Sequence, residues 1–468
     1  MGLELKKSNI LTVSVVLIAA LLTIRLFILQ IVETEYKITA SNNAFRYEVR
    51  YPARGLVFDR NGKILVGNET AYDIMVTPYE AVNFDTVDLC EIFELKLEDV
   101  RHTFKEYRVN RRKIGFQTMP FVKRVSNKQY AVFLEQAYKF PGFSAVSRTL
   151  RTYPYNAGAN LLGYITEVDT TYIRKHPEYK RGDYVGRTGI EQSYEGVLRG
   201  KKGYNIFLRD VHNKVKSSFA NGEYDIDAVP GKSITSSIDA ELQSYGESLM
   251  TNKVGSLVAI EPSTGEILTL VSSPGINVEK LASISKYYKE IVSDPLKPMF
   301  NRAVMAAYPP GSVFKLVNGL VALQDGVLDT VVKYPCSMGY HVGRGVGCHA
   351  HPSPLDLTHA IMMSCNSYFC YAFRDIIDNR AYPNVTAAFS HWKEMVESFG
   401  FGHKLGSDLP NELGGVLPSV KGYDRIHGKG RWKSLSIISL AIGQGEIGTT
   451  PLHLANLAAT VANRGYYY

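Results

Sequence analysis

The order of apolar and polar positions divides the chain before any motif is considered. Residues 1–9 are polar and carry Lys6 and Lys7. Residues 10–24 are apolar apart from Thr12, Ser14 and Thr23, Arg25 interrupts, and 26–32 are apolar except for Gln30. A membrane helix needs about 20 such residues. No small-residue cleavage site follows, as a secretory signal would require. The pattern therefore predicts a single membrane helix over 10–32. The lysines before it keep a cytoplasmic tail of residues 1–9 inside and the bulk of the chain outside. Arg25, near the outer end, can snorkel or meet a partner helix.

Beyond the anchor, 51–65 reads as strand, Asn61-Gly62 turn, strand, with Arg54, Asp59 and Arg60 as a structural ion network. Residues 70–145 mix helical and strand patterns, and 101–113 form a basic, solvated face. Residues 159–165 give a short helix running into a strand. Residues 186–200 open on glycines and continue as a short amphipathic helix, without phosphate-loop spacing. A boundary falls at 228–231, around Pro230-Gly231. After it come a strand at 233–238, a helix from 241, and apolar strands at 255–261 and 266–272. The turn Pro262-Ser263-Thr264-Gly265 joins those two as a hairpin. A hairpin-built sheet with helices packed across it is an α+β domain. The expected layout is an elongated domain over 33–230 and a second domain over 231–468.

Composition adds bounds. The chain has 468 residues and a mass of 52.2 kDa, room for two or three domains. The net charge of +8 reads as a solvated surface that favours an anionic membrane or polymer, with no nucleic-acid partner indicated. Cysteine is sparse, at five residues, and four of them fall between Cys336 and Cys370, which marks a local site rather than a disulfide framework.

Candidate chemistry centres on 308–316, where Pro309, Pro310 and Gly311 turn the chain into a helix that Ser312 begins. Val313, Phe314, Leu316, Val317, Leu320 and Val321 give that helix an apolar face. Lys315 lies three residues after Ser312 and so shares its face. A serine hydroxyl becomes a nucleophile when a base takes its proton, and a lysine of lowered pKa can be that base. The helix N-terminus adds N–H groups suited to an oxyanion. The same spacing recurs at Ser283 and Lys286, in a polar stretch with no turn before it. Ser364 and Asn366, two apart before an aromatic-rich helix, can direct a hydroxyl and a carboxamide into one cleft beside Lys315. Residues 439–452 give a glycine turn, Gly443-Gln444-Gly445, before a helix begun by Pro451.

In this order the pieces resemble the class B high-molecular-weight penicillin-binding proteins, most closely the elongation type. The resemblance covers nearly the whole chain: the membrane helix, 54–62, 189–200, Ser312–Lys315 and Ser364–Asn366. It implies a peptidoglycan D,D-transpeptidase active in cell-wall elongation, with a pedestal over 33–230 and a penicillin-binding transpeptidase domain over 231–468. The implied place is the bacterial inner membrane, single-pass, with a SEDS-family glycosyltransferase as partner. Stem peptides and β-lactams would be its ligands. Ser312 would be acylated by the penultimate D-alanine carbonyl, Lys315 would take the serine proton, Ser364 would relay a proton to the leaving amine, and Asn366 would hold the substrate amide. The family's Lys-Thr/Ser-Gly triplet is missing: Gly428-Lys429-Gly430 lacks the hydroxyl and precedes Gly443. The expectation is a transpeptidase domain truncated at its C-terminal side, whose activity in this form is open. A non-catalytic penicillin-binding scaffold or sensor that activates a glycosyltransferase is the alternative. A carboxypeptidase or β-lactamase of the same fold is a third reading, disfavoured by the long pedestal.

Cys336, Cys348, His349, His351 and Cys365 lie between the serine and the Ser364 motifs. Thiolates and imidazole are common zinc ligands, and Cys348 and His351 have workable local spacing, with Cys336 and Cys365 completing a tetrahedron. A structural zinc, a disulfide in an oxidising compartment, and plain buried thiols are the three readings of this cluster. Cys370 reads as a core residue, and Cys90 stands alone.

Overall fold

The computed structural model describes residues 7–27, 45–110, 118–209 and 215–468. The chain forms two compact units, one of 1–55, 69–150 and 199–232 and a larger one of 56–68, 151–198 and 233–468. Compactness thus divides the chain differently from the linear cut expected at 230. Strand pairing is the reason. Val57–Phe58 pairs in parallel with Ile234–Thr235, and the Leu56 N–H donates to Ser233 Oγ at 3.0 Å.

The N-terminal helix runs over Lys7–Phe27. Among the described residues, no helix is long and apolar enough to cross a membrane. The last part of the anchor expected over 10–32 lies outside those residues.

In the smaller unit, Phe45–Arg50, Gly203–Arg209 and Val215–Ser218 form an antiparallel sheet. In the same unit the helices Thr86–Phe93 and Asn127–Glu135 pack with the strand Met119–Val125 and its partner stretch 72–76. Ile74, Leu89, Phe93, Val125, Phe133 and Phe140 are its core. The helices start where the sequence supplies caps. Asp85 accepts from the N–H groups of Val87 and Asp88, and Ser126 with Gln129 forms a reciprocal capping box.

The larger unit is α+β. The expected hairpin is present as Gly255–Ile260 against Ile267–Ser273. Helix Ala240–Leu249 packs on this hairpin through Gln243, which is 2% exposed. Its Oε1 accepts from Thr269 Oγ1 at 2.7 Å and from the Leu270 N–H at 2.8 Å, so a buried amide replaces an apolar contact without leaving an acceptor bare. Asp59 spends its oxygens on the N–H groups of Asn61, Lys63 and Ala240. Arg60 pairs instead with Glu266 at 3.2 Å. The ion network expected at Arg54, Asp59 and Arg60 is thus partly a carboxylate satisfying backbone donors. Glu191, in helix Gly189–Ser193, pairs with Arg151 at 2.7 Å with both side chains buried.

The helices from Lys315–Gln324 onward enclose an aromatic core of Phe314, Phe369, Phe373, Phe389, Trp392, Tyr423 and Trp432. Asn318, fully buried, sits at its centre. Its Nδ2 donates to the carbonyls of Leu440 and Ala441 at 3.0 and 3.1 Å, and its Oδ1 accepts from Trp392 Nε1 at 2.9 Å. Removing that amide strips the Ala441 carbonyl and Trp392 Nε1 of this partner, while the Leu440 carbonyl keeps the Gly443 N–H. Asn318→Ala should therefore destabilise this unit by about 1–3 kcal/mol. Both tryptophans of the chain lie in this core, so urea unfolding followed by tryptophan fluorescence reads the effect directly; an unchanged midpoint would contradict it.

Candidate active site

Ser312 and Lys315 lie where the chain changes helix type. Gly311–Phe314 is a 3-10 turn, and Lys315–Gln324 continues as α-helix. The apolar face is narrower than the periodicity suggested. Phe314, Val317 and Val321 are buried, whereas Val313 and Leu320 are each 45% exposed. Those two are seven residues apart and so share the one stripe that faces away from the core. The buried stripe instead includes Lys315 and Asn318, at 3% and 0% exposure. The look-alike lysine, Lys286, is exposed.

Burial of a lysine demands partners, and a single segment supplies them. Lys315 Nζ donates to the Ser364 carbonyl at 2.7 Å, to Ser364 Oγ at 3.0 Å and to Asn366 Oδ1 at 2.6 Å. The Phe369 ring lies 5.8 Å from the nitrogen, within the range of a cation–π contact. Three acceptors match the three N–H bonds of an ammonium; a neutral amine has two and a free lone pair. Burial pushes the Lys315 pKa below the ordinary lysine value, and the nearby thiols of Cys348, Cys365 and Cys370 pull the other way. Burial thus favours the neutral amine, while the three acceptors favour the ammonium.

Ser364 reaches the lysine through an unusual backbone. Its φ is +49°, a left-handed conformation that costs a non-glycine residue about 1–3 kcal/mol. The two residues that follow it are fixed in turn. Cys365 caps helix Asn366–Ile377, its Sγ accepting from the Tyr368 N–H at 3.3 Å. Asn366 is gripped at both ends by the chain that follows the short hairpin Gly339–Tyr340/Val346–Gly347. Its Nδ2 donates to the Gly347 carbonyl at 2.8 Å, and its backbone N–H donates to Cys348 Sγ at 3.3 Å.

The structure thus brings Lys315, Ser364 and Asn366 into direct contact, with Ser312 exposed on the preceding turn. Gly347 was not singled out from sequence; its only signal was the density of glycines at 343, 345 and 347.

The four expected metal ligands also converge. One ligand atom each from Cys336, Cys348, His351 and Cys365 lies within 4.8 Å of all the others. Ligands bound tetrahedrally to zinc at ~2.3 Å would stand about 3.8 Å apart, so a small contraction would suffice. Burial raises the Cys348 pKa, but hydrogen bonds from the Asn366 N–H, His351 and other backbone donors outweigh it and bring it down to about 6. Burial pushes Cys365 up to about 12. One thiol is already inclined to be thiolate, and the other needs a cation to become one. His349 is exposed and outside the set, and Cys370 is fully buried in the core.

The Ser312 turn is fixed from the other side by Gly443. The Gly311 N–H donates to the Gly443 carbonyl at 2.9 Å. Gly443 has φ +66°, and a Cβ there would meet the Gly311 carbonyl oxygen at 2.3 Å and Phe314 Cβ at 2.7 Å. Gly443→Ala must therefore displace the turn that carries the nucleophile. It should slow covalent labelling of Ser312 by a β-lactam by about a hundredfold, read by intact mass against time; an unaltered rate would show that the turn tolerates the shift.

Comparison with known proteins identifies the two domains. Residues 49–236 match the penicillin-binding protein dimerisation domain, and 255–468 match the penicillin-binding protein transpeptidase domain. The chain is 31% identical to the peptidoglycan D,D-transpeptidase MrdA of Acinetobacter baumannii, over 92% of this chain and 63% of that protein. It is 28% identical to MrdA of Escherichia coli K12, over 99% of this chain and 73% of the relative. The chain thus spans somewhat under two thirds of the first relative's length and nearly three quarters of the second's. In fold it is similar to the penicillin-binding protein of a Helicobacter pylori complex between PBP2 and MreC, with a TM-score of 0.70, 24% identity, and coverage of 90% of this chain and 78% of that one. A dimerisation domain followed by a transpeptidase domain, with Lys315, Ser364 and Asn366 assembled in the second, places the chain in the class B penicillin-binding proteins, where it is most like the elongation type.

Proposed function

We propose that the chain is a serine D,D-transpeptidase that cross-links peptidoglycan stem peptides. The observation that carries this reading is a buried lysine, one turn after an exposed serine, bound to Ser364 and Asn366 at 2.6–3.0 Å. Lys315, as the neutral amine, takes the Ser312 hydroxyl proton while Oγ bonds to the carbonyl carbon of the penultimate D-alanine. The C–N bond then breaks, and the proton passes by way of the Ser364 hydroxyl to the leaving D-alanine amine. Asn366 holds the substrate amide. The amine of a neighbouring stem attacks the ester, gives up its proton along the same route, and frees Ser312. A β-lactam enters the first step, but its leaving amine stays tethered to the acyl group and obstructs the second.

In this reading residues 10–32 anchor the chain once in the bacterial inner membrane, with the N-terminus cytoplasmic and the bulk outside. Lys6 and Lys7 ahead of the apolar run support that orientation. A SEDS-family glycosyltransferase is the proposed membrane partner, as the family resemblance implies. The MreC of the Helicobacter pylori complex suggests a second partner of that kind. Cys336, Cys348, His351 and Cys365 are proposed to hold a structural zinc, supported by the closeness of their ligand atoms. A closed set of four ligands supplies folding energy rather than an open position for chemistry. Its place is beside Asn366, whose N–H meets Cys348.

Ser312→Ala should abolish the β-lactam adduct. Because the reactive form of Lys315 is neutral and burial lowers its pKa, the acylation rate should rise with pH through a midpoint below the ordinary lysine value. Stopped-flow acylation across pH measures this, and a flat profile would remove Lys315 as the base. Turnover of a donor stem with and without an acceptor amine then separates transferase from hydrolase. For the thiol cluster, native mass spectrometry should show a single zinc per chain, lost in Cys348→Ser together with a lower unfolding midpoint. A metal-free chain lighter by two hydrogens would establish the disulfide instead.

A further inference from the structure

Gly428-Lys429-Gly430, which had the look of an incomplete catalytic triplet, belongs to a different feature. Residues 421–433 contain Lys421, Arg425, Lys429, Arg431 and Lys433, with Asp424 as the single carboxylate. All five cations are exposed, while Tyr423 and Trp432 among them are 1% and 3% exposed. Both rings pack on Phe389 with centroids 5.4 Å away, and the Tyr423 hydroxyl donates to Glu446 at 2.9 Å. The segment is therefore held on the core by its aromatics and turns its charges outward.

Asp424 offsets one of those charges: hydrogen bonds from Trp432 and Gly430, and then the charge of Lys429, hold its pKa below the ordinary carboxylate value, and four cations remain in excess. Its Oδ1 accepts from Trp432 Nε1 at 2.9 Å and from the Gly430 N–H at 3.2 Å. Among the described residues, none of the five cations forms an ion pair. Like charges four apart, as Lys421 and Arg425 are in helix Val420–His427, work against the helix that carries them.

The segment is also continuous with the candidate active site. It leads into Ser434–Ile442, which ends at Gly443, the residue hydrogen-bonded to Gly311 beside Ser312. A Cβ built on Gly343 would lie 3.7 Å from Leu435 Cδ1, so the tip of the hairpin that grips Asn366 borders the same surface. Arg344, exposed at that tip, adds a further cation.

We propose that residues 421–433 and Arg344 form a carboxylate-binding strip that holds acidic stem-peptide strands of the cell-wall polymer beside Ser312. This rests on the transpeptidase reading above. The cations are spaced along a helix and a loop rather than gathered round one point. That spacing suits successive carboxylates on an extended strand better than a single compact polyanion. Guanidinium groups can take carboxylates in bidentate fashion, and lysines supply less directional charge between them. Ile426 and Leu435, 64% and 38% exposed, place apolar surface among the charges for alanine methyl groups.

The test is fluorescence anisotropy with a labelled stem pentapeptide carrying free carboxylates, and with the same peptide amidated. Both are titrated into the full chain and into a Lys421→Gln/Arg425→Gln/Lys429→Gln/Arg431→Gln variant. The chain should bind the free-carboxylate peptide about tenfold more tightly than the amidated one. That contrast should shrink in added salt and vanish in the variant. Equal affinity of both chains for the free-carboxylate peptide overturns the strip. So does stronger binding to inorganic polyphosphate, single-stranded DNA or phosphatidylglycerol vesicles, each competed against the peptide. The thermal midpoint of the variant reports its folding; should it fail to fold, Arg425→Gln and Lys429→Gln singly must each reduce the contrast. Labelled penicillin on the unaltered chain separates the two readings: an adduct on Ser312 without peptide preference removes the strip alone, whereas peptide preference without an adduct upholds the strip and removes the transpeptidase reading.

Discussion

A lysine nitrogen taken out of water is the constraint on which the rest of this site depends. Lys315 is 3% exposed, and an unpartnered ammonium at that depth would be neutralised or would unfold its surroundings. Three oxygens from Ser364 and Asn366 offset the cost. Two of them, the carbonyl and hydroxyl of Ser364, come from a residue with a left-handed backbone. That strained conformation is one the surrounding structure has to maintain.

That requirement accounts for the features around the segment. Cys365 lies between the two residues that contact the lysine, and its sulfur caps the helix that begins at Asn366. Gly347 and Cys348 accept from the Nδ2 and the backbone N–H of Asn366, and its side-chain oxygen faces Lys315. The thiol cluster is consequently joined to the lysine by two hydrogen bonds in series, Cys348 to Asn366 and Asn366 to Lys315. Whatever fixes the four ligand groups fixes the lysine's acceptors as well. Behind the lysine helix, Asn318 ties the same buried stripe to the carbonyls of Leu440 and Ala441, and Gly443 follows directly to hold Gly311. Nucleophile turn and base are therefore held from opposite sides by two separate chain segments, 364–366 and 440–443.

Much of this arrangement was legible in the sequence, because it depends on local chemistry. The Pro-Pro-Gly entry marked the turn at Ser312, the hairpin was read from its apolar runs and its turn residues, and Pro451 marked the start of its helix. The cysteine and histidine set could be proposed from residue type, and the fold brings those residues together. What was not legible depends on distant partners. Periodicity alone counted Val313 and Leu320 as core, because it cannot tell which apolar residues on a helix have something to pack against. The pairing of Val57–Phe58 with Ile234–Thr235 has no local signature, and it is what draws residues 56–68 into the larger unit. Asp59 looked like an ion-pair partner because its bonds to backbone N–H groups cannot be seen in a list of side chains.

The basic segment at 421–433 follows from the same division between what is buried and what is left outside. Tyr423 and Trp432 are needed in the aromatic core, where both meet Phe389. Joining two buried rings nine residues apart leaves a turn on the surface, and Asp424 closes that turn by accepting from Gly430 and Trp432. That one carboxylate, which feels the charge of Lys429, cannot balance Lys421, Arg425, Lys429, Arg431 and Lys433 together. Folding therefore gains the turn and leaves the charges in place. Nothing in the packing requires those positions to be cationic, since neutral polar residues would solvate equally well and avoid the mutual repulsion. Their excess charge, on a segment that leads through Ser434–Ile442 to Gly443 and the Ser312 turn, is accounted for by the carboxylates of the proposed stem-peptide strand.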